Sequence, residues 1–226
     1  MEIKKYFIIL LFQFIISNEY MEYQVTLYGV PMSEVIINYQ NIEFETKNAI
    51  KLNFKTHTNE LVSNFFKIDN SYETIIEENT FKILSFKKNT YQPGITNQIN
   101  TTNQNNKVIY SNSDIIIQDN YFNIFSLLYY LTITPFENIK SNIILEREGL
   151  LYNFNIKKNE KNNNYEYQLI LNSIDNNKPI IKNTDIFTWA VFKKDAYRKV
   201  IVEKNNNKIK LCEFKFGITN LEAKLK

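Results

Sequence analysis

A period-two alternation of apolar and polar residues recurs along this chain and limits its fold more than any other feature. Ile50, Leu52 and Phe54 alternate with Lys51, Asn53 and Lys55. Tyr152, Phe154 and Ile156 alternate with Asn153, Asn155 and Lys157, and Tyr165, Tyr167, Leu169 and Leu171 share one phase of the next stretch. Successive side chains of a strand point to opposite faces, so each run has one buried and one wetted face, as in antiparallel sheets. The interruptions at 161–164, 175–178 and 203–208 are turn-like. With only 4 Gly and 4 Pro in 226 residues, asparagine is left to supply much of the turn chemistry, since it tolerates left-handed backbone. The pattern predicts about a dozen strands joined mostly as hairpins in a meander.

Three segments depart from simple alternation. Ile209 and Leu211 are apolar at odd positions, Cys212, Phe214 and Phe216 at even ones, and Leu221, Ala223 and Leu225 at odd ones again. A slip of one residue turns a strand inside out, so a bulge is expected there, with Gly217 near the turn of a curved final hairpin. Residues 120–131 (NYFNIFSLLYYL) are apolar on nearly every side, which predicts a buried helix capped by Asp119 and stopped by Pro135. A shorter helical turn is expected over 61–66. Residues 97–106 are polar and of low complexity and read as an exposed loop. The fold class expected is mainly β: a curved antiparallel meander sheet, a half-barrel, packed around one buried helix.

The start of the chain sets a compartment. Lys4 and Lys5 precede an apolar run from Tyr6 to Ile16, broken only by Gln13, and Ser17-Asn18-Glu19 returns to small and polar residues. Positive start, apolar middle and small-residue end are the layout of a secretory signal peptide. The apolar run is about half of the ~20 residues a spanning helix needs, so no permanent membrane span is expected after cleavage near Ser17 or Asn18. Residues 1–17 are thus assigned to a signal peptide and 18–226 to a single β-rich domain. The expected location is exported, either periplasmic or extracellular and at the cell surface.

The formal net charge is +3, and losing Glu2, Lys4 and Lys5 with the signal lowers it by one. The basic residues lie in pairs (Lys87-Lys88, Lys157-Lys158, Lys193-Lys194) that read as the dressing of exposed strand ends, not as a nucleic-acid face. The one cysteine, Cys212, has no internal partner for a disulfide, lies far from the signal where a lipoprotein would be lipidated, and reads as a small buried hydrophobe.

Reactive groups are sparse. His57 is the single histidine and falls on the solvent phase of a strand, so two-imidazole mechanisms are excluded. No Cys/His cluster has metal-ligand spacing, and Gly29, Gly94, Gly149 and Gly217 are too scattered for a phosphate loop or a nucleophile elbow. Glu146 and Glu148 flank Arg147 and would share one face of a strand, a spacing that suits paired acid–base carboxylates. The reading preferred for them is a solvated strand end before Gly149; Glu77-Glu78 is weaker, because neighbours on a strand face apart. Aromatic residues are in excess, with 15 Tyr and 17 Phe beside the single Trp189. Most are expected to be core, but Tyr129, Tyr130 and Trp189 are candidates for the mouth of an apolar pocket, because amphipathic rings suit such a place.

Several segments taken together resemble a known family. They are Tyr23-Gln-Val-Thr-Leu-Tyr-Gly29, the run from Phe66 to Glu73 followed by Thr80 to Phe86, the stretch Phe125 to Leu131, and the ending Phe216 to Leu225. Their order and spacing resemble a bacterial family of exported proteins, domain of unknown function 3108, over nearly all of the mature chain. The chain departs from that pattern at Asn123, where relatives often carry an acid, at Thr132, where they carry an arginine, and at Lys199, where they carry a proline. The resemblance implies a periplasmic or surface β-rich protein and no catalytic residues.

The functional expectation is a non-enzymatic exported protein that binds a lipid or other apolar small molecule in the concave face of its sheet. The alternative is a scaffold in envelope assembly that pairs an exposed sheet edge with an envelope protein. Less favoured is a glycosidase-like hydrolase built on Glu146 and Glu148. No catalytic residue, metal, cofactor or nucleic-acid partner is expected.

Overall fold

In the computed structural model the described residues are 18–111, 113–174 and 179–226. The expected signal peptide and the turn at 175–178 lie outside them. The first half of the chain forms β1 (Asn18–Leu27), β2 (Val30–Phe44), β3 (Lys47–Thr58), a helical turn α1 (Glu60–Ser63), β4 (Asp69–Glu77), β5 (Ile83–Gln92), β6 (Ile95–Gln104), β7 (Lys107–Tyr110) and β8 (Ile116–Gln118). Helix α2 (Ile124–Ile133) follows. The second half forms β9 (Asn142–Arg147), β10 (Leu150–Lys161), β11 (Asn164–Ile174), helix α3 (Ile186–Phe192), β12 (Tyr197–Glu203), β13 (Ile209–Phe216) and β14 (Thr219–Leu225).

All fourteen strands join one antiparallel sheet in the order β8 to β1, then β14 down to β9. From β1 in the middle the chain therefore meanders to one edge, crosses over through α2, and meanders back from the other edge. β14 closes on β1, with Tyr23 opposite Leu225 and Val25 opposite Ala223. The sheet curls without closing into a ladder. The link from β8 to α2 touches the other edge: Phe122 forms an isolated parallel bridge with Leu145 of β9, donating its N–H to Ile144 O (2.9 Å) and accepting from Glu146 N–H (2.7 Å).

The alternating runs bury the faces their pattern implied. Ile50, Leu52, Phe54, Tyr152, Phe154, Ile156, Tyr167 and Leu169 all belong to one core. Asparagine makes the turns: Asn105, Asn106, Asn162 and Asn207 all have positive φ. The expected bulge lies between β12 and β13, where Val202 pairs with Ile209 but Ile201 pairs with Leu211, leaving Lys210 as the extra residue. That insertion lets Ile209 and Phe214 both face inward despite opposite parity. Phe216 pairs with Thr219 across a two-residue turn that starts at Gly217 (φ +56°). At residues 97–106 the loop expectation is corrected. Most of this segment is β6, bonded to β5 and β7 on its two sides, with Ile99 and Thr101 facing in and the amides facing out. A strand needs only one apolar face, and pairing on both edges satisfies its backbone whatever the outward side chains are.

α2 fills the hollow of the sheet. Phe125 packs on Phe54 (4.7 Å between ring centroids), Tyr72 (4.6 Å) and Phe187 (5.8 Å). Its cap is Asn123 and not Asp119, which pairs with Lys82 at 2.7 Å. Asn123 Oδ1 accepts from Ser126 N–H (2.8 Å), Ser126 Oγ accepts from Asn123 N–H (3.0 Å), and the Asn123 amide donates to Thr74 (3.0 Å) on β4. Asn123→Ala removes the cap and the tie to β4 together and is expected to cost about 2 kcal/mol in urea denaturation; a change within error would show the helix start to be held by packing alone.

α3 is a second helix inside the sheet that periodicity did not suggest. It is capped by Asp185, whose Oδ1 accepts from Thr188 N–H (2.9 Å), and it buries Phe192 against Tyr152 (4.6 Å). Seven residues are too few for a helical period to stand out. Asp185 followed three residues later by Thr188 is the local sign of its start.

Candidate functional site

The seam between the β8–α2 link and the edge of β9 does not zip shut beyond Phe122, and a cleft of about 680 Å³ opens there. Its floor is apolar, from Phe81, Phe122, Ile143 and Phe154. The rim is polar. Lys82 and Asp119 form an ion pair at one side, and Lys140 stands at the other. Asn120, Asn142, Asn153 and Asn172, all exposed, add amides to the rim. Phe81 adopts a left-handed backbone (φ +59°) at the β4–β5 turn, and this turns its ring toward Tyr130 and Phe122.

The three aromatic candidates are not together. Tyr130 stands behind the cleft: its ring lies 5.1 Å from Phe81 and 5.0 Å from Phe122, and its hydroxyl donates to Asn138 O at 3.2 Å. Tyr129 is half-buried and meets Tyr39 edge-on at 5.0 Å. Trp189, on α3, meets Phe214 at 5.7 Å and Phe216 at 6.4 Å, both on β13. None of the three lines the cleft. The residues that do line it carry no sequence signal, because they come from six separate elements and connections.

Glu146 and Glu148 are not the solvated strand end that their sequence suggested: both are buried, at 5% and 3% exposure. Neither lines the cleft. β9 ends at the inner surface of the sheet, and the Glu148-Gly149 turn, both residues at positive φ, carries the second carboxylate inward beside the first. The two have different surroundings. Glu146 accepts from the Tyr110 hydroxyl and from Gly149 N–H (2.8 Å). Burial pushes its carboxyl up from the ordinary 4.5 to about 7, with these hydrogen bonds offsetting only part of the effect.

Glu148 belongs to an ionic cluster centred on Lys88. Lys88 Nζ lies 2.5 Å from Glu148 Oε1 and 2.5 Å from Asp185 Oδ2, and all three side chains are at most 2% exposed. The strand-end reading of Lys88 is thereby corrected: its neighbour Lys87 points to solvent and Lys88 points into the sheet. The Tyr72 hydroxyl donates to Asp185 Oδ1 at 2.8 Å, and the Thr188 hydroxyl donates to Oδ2 at 2.6 Å. The Thr184 hydroxyl donates to Glu148 Oε1 at 2.5 Å. Burial alone would raise the Asp185 carboxyl, but Lys88 and Thr188 together hold it below its ordinary value. The cluster fastens α3 and the β9–β10 turn to the inner faces of β4 and β5.

Glu146 has a pH consequence. Its carboxyl takes up a proton more readily in the folded chain than in the unfolded one. The stability it contributes is therefore present below about 4.5 and lost as pH rises through about 7. Glu146→Gln removes that dependence. Between pH 4 and pH 9 the variant is expected to gain about 3 kcal/mol relative to wild type in urea denaturation; parallel pH profiles for the two proteins would contradict it.

Other groups are quiet. His57 is exposed beside Glu34 (3.5 Å), as its phase implied. Cys212 is half-buried on β13, and burial pushes its thiol up to about 12. Among the described residues no group of three or more His, Cys, Asp or Glu is placed to hold a metal ion, and no helix is long and apolar enough to cross a membrane.

The crystal structure of a beta-barrel-like protein of domain of unknown function DUF1849 from Brucella abortus has a similar fold, with a TM-score of 0.55, 8% identity, and coverage of 92% of this chain and 95% of that one. At that identity the likeness concerns the fold alone. Comparison with the curated proteins finds no match. The family described as "Protein of unknown function (DUF3108)" matches residues 22–212, a span that runs from β1 into β13 and takes in every strand of the cleft and of the Lys88 cluster. The chain, with its open antiparallel half-barrel wrapped around α2, belongs to the DUF3108 family.

Proposed function

We propose that this is an exported, non-catalytic binding protein of the cell envelope, whose ligand sits in the seam cleft and not in the hollow of the sheet. The observation that carries the reading is the cleft itself. Its volume of about 680 Å³ is in the range of small-molecule sites, and its apolar floor and amide-rich rim suit an amphipathic ligand with one apolar part and one polar part. The hollow is a poorer site, because Phe125 and its aromatic neighbours occupy it. Export rests on the layout of residues 1–17.

The test is mass spectrometry of an organic extract of the protein purified from the exported fraction. A stoichiometric small molecule is expected in the wild-type extract. It should be lost from Phe81→Asn, which tolerates the left-handed backbone at that position but removes the ring from the floor. An empty wild-type extract, or a ligand that survives the substitution, overturns the seam site. A second reading, an assembly scaffold, is favoured by the outer edge of β9, where among the described residues only the backbone of Phe122 pairs. A co-purifying protein in place of a small molecule would favour that reading.

A further inference from the structure

The geometry points to a covalent cross-link: Lys88 and Asp185 are placed to condense into a side-chain amide, with Glu148 as the proton carrier. This is a single self-modifying event, independent of what the seam cleft binds.

Three conditions for the reaction are met in one buried site. First, the reacting groups are adjacent. Lys88 Nζ lies 2.5 Å from Asp185 Oδ2, one bond away from the carbon it must attack, and packing holds both side chains there. Such positioning replaces the encounter of two free reactants, and it is worth many orders of magnitude in rate. Second, the other carboxylate oxygen has an anion site. Asp185 Oδ1 accepts from the Tyr72 hydroxyl (2.8 Å) and from Thr188 N–H (2.9 Å), two donors aimed at the oxygen that gains charge when nitrogen adds to the carbon. Third, a base stands on the amine. Glu148 Oε1 is 2.5 Å from Lys88 Nζ, and Glu148 Oε2 is buried without a hydrogen-bond partner, with Arg147 Nε 3.4 Å away. Thr184 joins the base to the acid: its hydroxyl is 2.5 Å from Glu148 Oε1 and 3.5 Å from Asp185 Oδ2.

The step balances without a co-reactant. The Lys88 ammonium passes a proton to Glu148, which hands it to Asp185 Oδ2, directly or across the Thr184 hydroxyl, so that an amine faces a neutral carboxyl. The amine adds to Asp185 Cγ, forming the C–N bond, and Oδ1 carries the resulting charge between Tyr72 and Thr188. The nitrogen then gives up a second proton, through Glu148, to the same Oδ2. The C–Oδ2 bond breaks and water leaves. An ammonium and a carboxylate become an amide and one water, and Glu148 ends as it began. Burial drives the exchange, because it removes two charges from a site where charges are costly and releases the water to solvent. The product ties β5 to the N-terminus of α3, in a chain whose one cysteine offers no internal disulfide.

Intact-mass spectrometry of the full-length mature protein, with its N-terminus determined, decides the matter. The expected mass is lower than that of the sequence by one water, and proteolysis should release the Lys88 and Asp185 peptides as one branched species. A wild-type mass equal to the unmodified sequence overturns the proposal. Glu148→Gln should fold, by circular dichroism and gel filtration, yet keep the unmodified mass; a full cross-link in that variant overturns the role given to Glu148. Asp185→Asn provides a second check, because an amide formed from asparagine releases ammonia, so the expected loss changes from one water to one ammonia. A loss of water from Asp185→Asn would mean that the modification lies elsewhere, and would overturn the assignment.

Discussion

Lys88→Met is expected to unfold the protein, or to lower its stability by about 3–5 kcal/mol in urea denaturation. The methionine fills most of the space of the lysine stem, so packing is largely kept and the loss comes from the stranded charges and from the missing cross-link. Whether Lys88 is an ammonium or an amide nitrogen, its removal leaves Glu148 and Asp185 in a site where both are at most 2% exposed and where Arg147, at 3.4 Å from Glu148, is the remaining cation. A buried carboxylate without its partner incurs the desolvation cost with no compensation. Combining Lys88→Met with Glu148→Gln and Asp185→Asn should recover part of the loss, since no charge is then stranded. The measurement is the denaturation midpoint at constant slope. A loss below about 1 kcal/mol, the level of a surface ion pair, would mean that water reaches the cluster.

Phe125→Ala should cost about 3–5 kcal/mol by the same measurement, because it deletes the ring at the centre of the hollow. That ring meets Phe54, Tyr72, Phe86 and Phe187 with centroids between 4.6 and 6.0 Å apart, so residues from β3, β4, β5 and α3 lose their common neighbour. The framework around them is a continuous sheet that cannot collapse onto the void, and cavity cost rises when a site cannot relax. Phe125→Leu should cost distinctly less, since it keeps most of the buried surface. Equal losses for the two variants would imply that a specific ring contact matters more than filled volume.

Legibility differed sharply between fold and site. The alternation at 50–55 and 152–157 showed which faces are buried, and the parity change after Leu211 located a bulge to within two residues. The apolar run before Pro135 showed the buried helix, although its cap proved to be Asn123, three residues into the expected segment. α3 escaped because it is short, and β6 escaped because amides on an outward face look the same in a strand as in a loop. Glu146, Glu148 and Lys88 escaped for a different reason. A charged residue next to a turn is exposed in most proteins, and nothing nearby in the chain marks these three as exceptions. Lys88 meets partners 60 and 97 positions away.

By itself the sequence determined the class of fold, most strand faces, the asparagine turns and the helix that must be buried, because each of these is set by the side chains of a few consecutive residues. It also carried the order of segments by which the family is recognised. Tertiary structure alone decided that β1 and β14 pair, that the β8–α2 link meets the edge of β9 at Phe122 and leaves a cleft beyond it, and that a lysine, a glutamate and an aspartate share one buried site. The physical reason is that periodicity records which way a side chain points but not what it will face. Partners are chosen by the curvature of the whole sheet and by the helices that fill it, and both emerge only when distant segments pack.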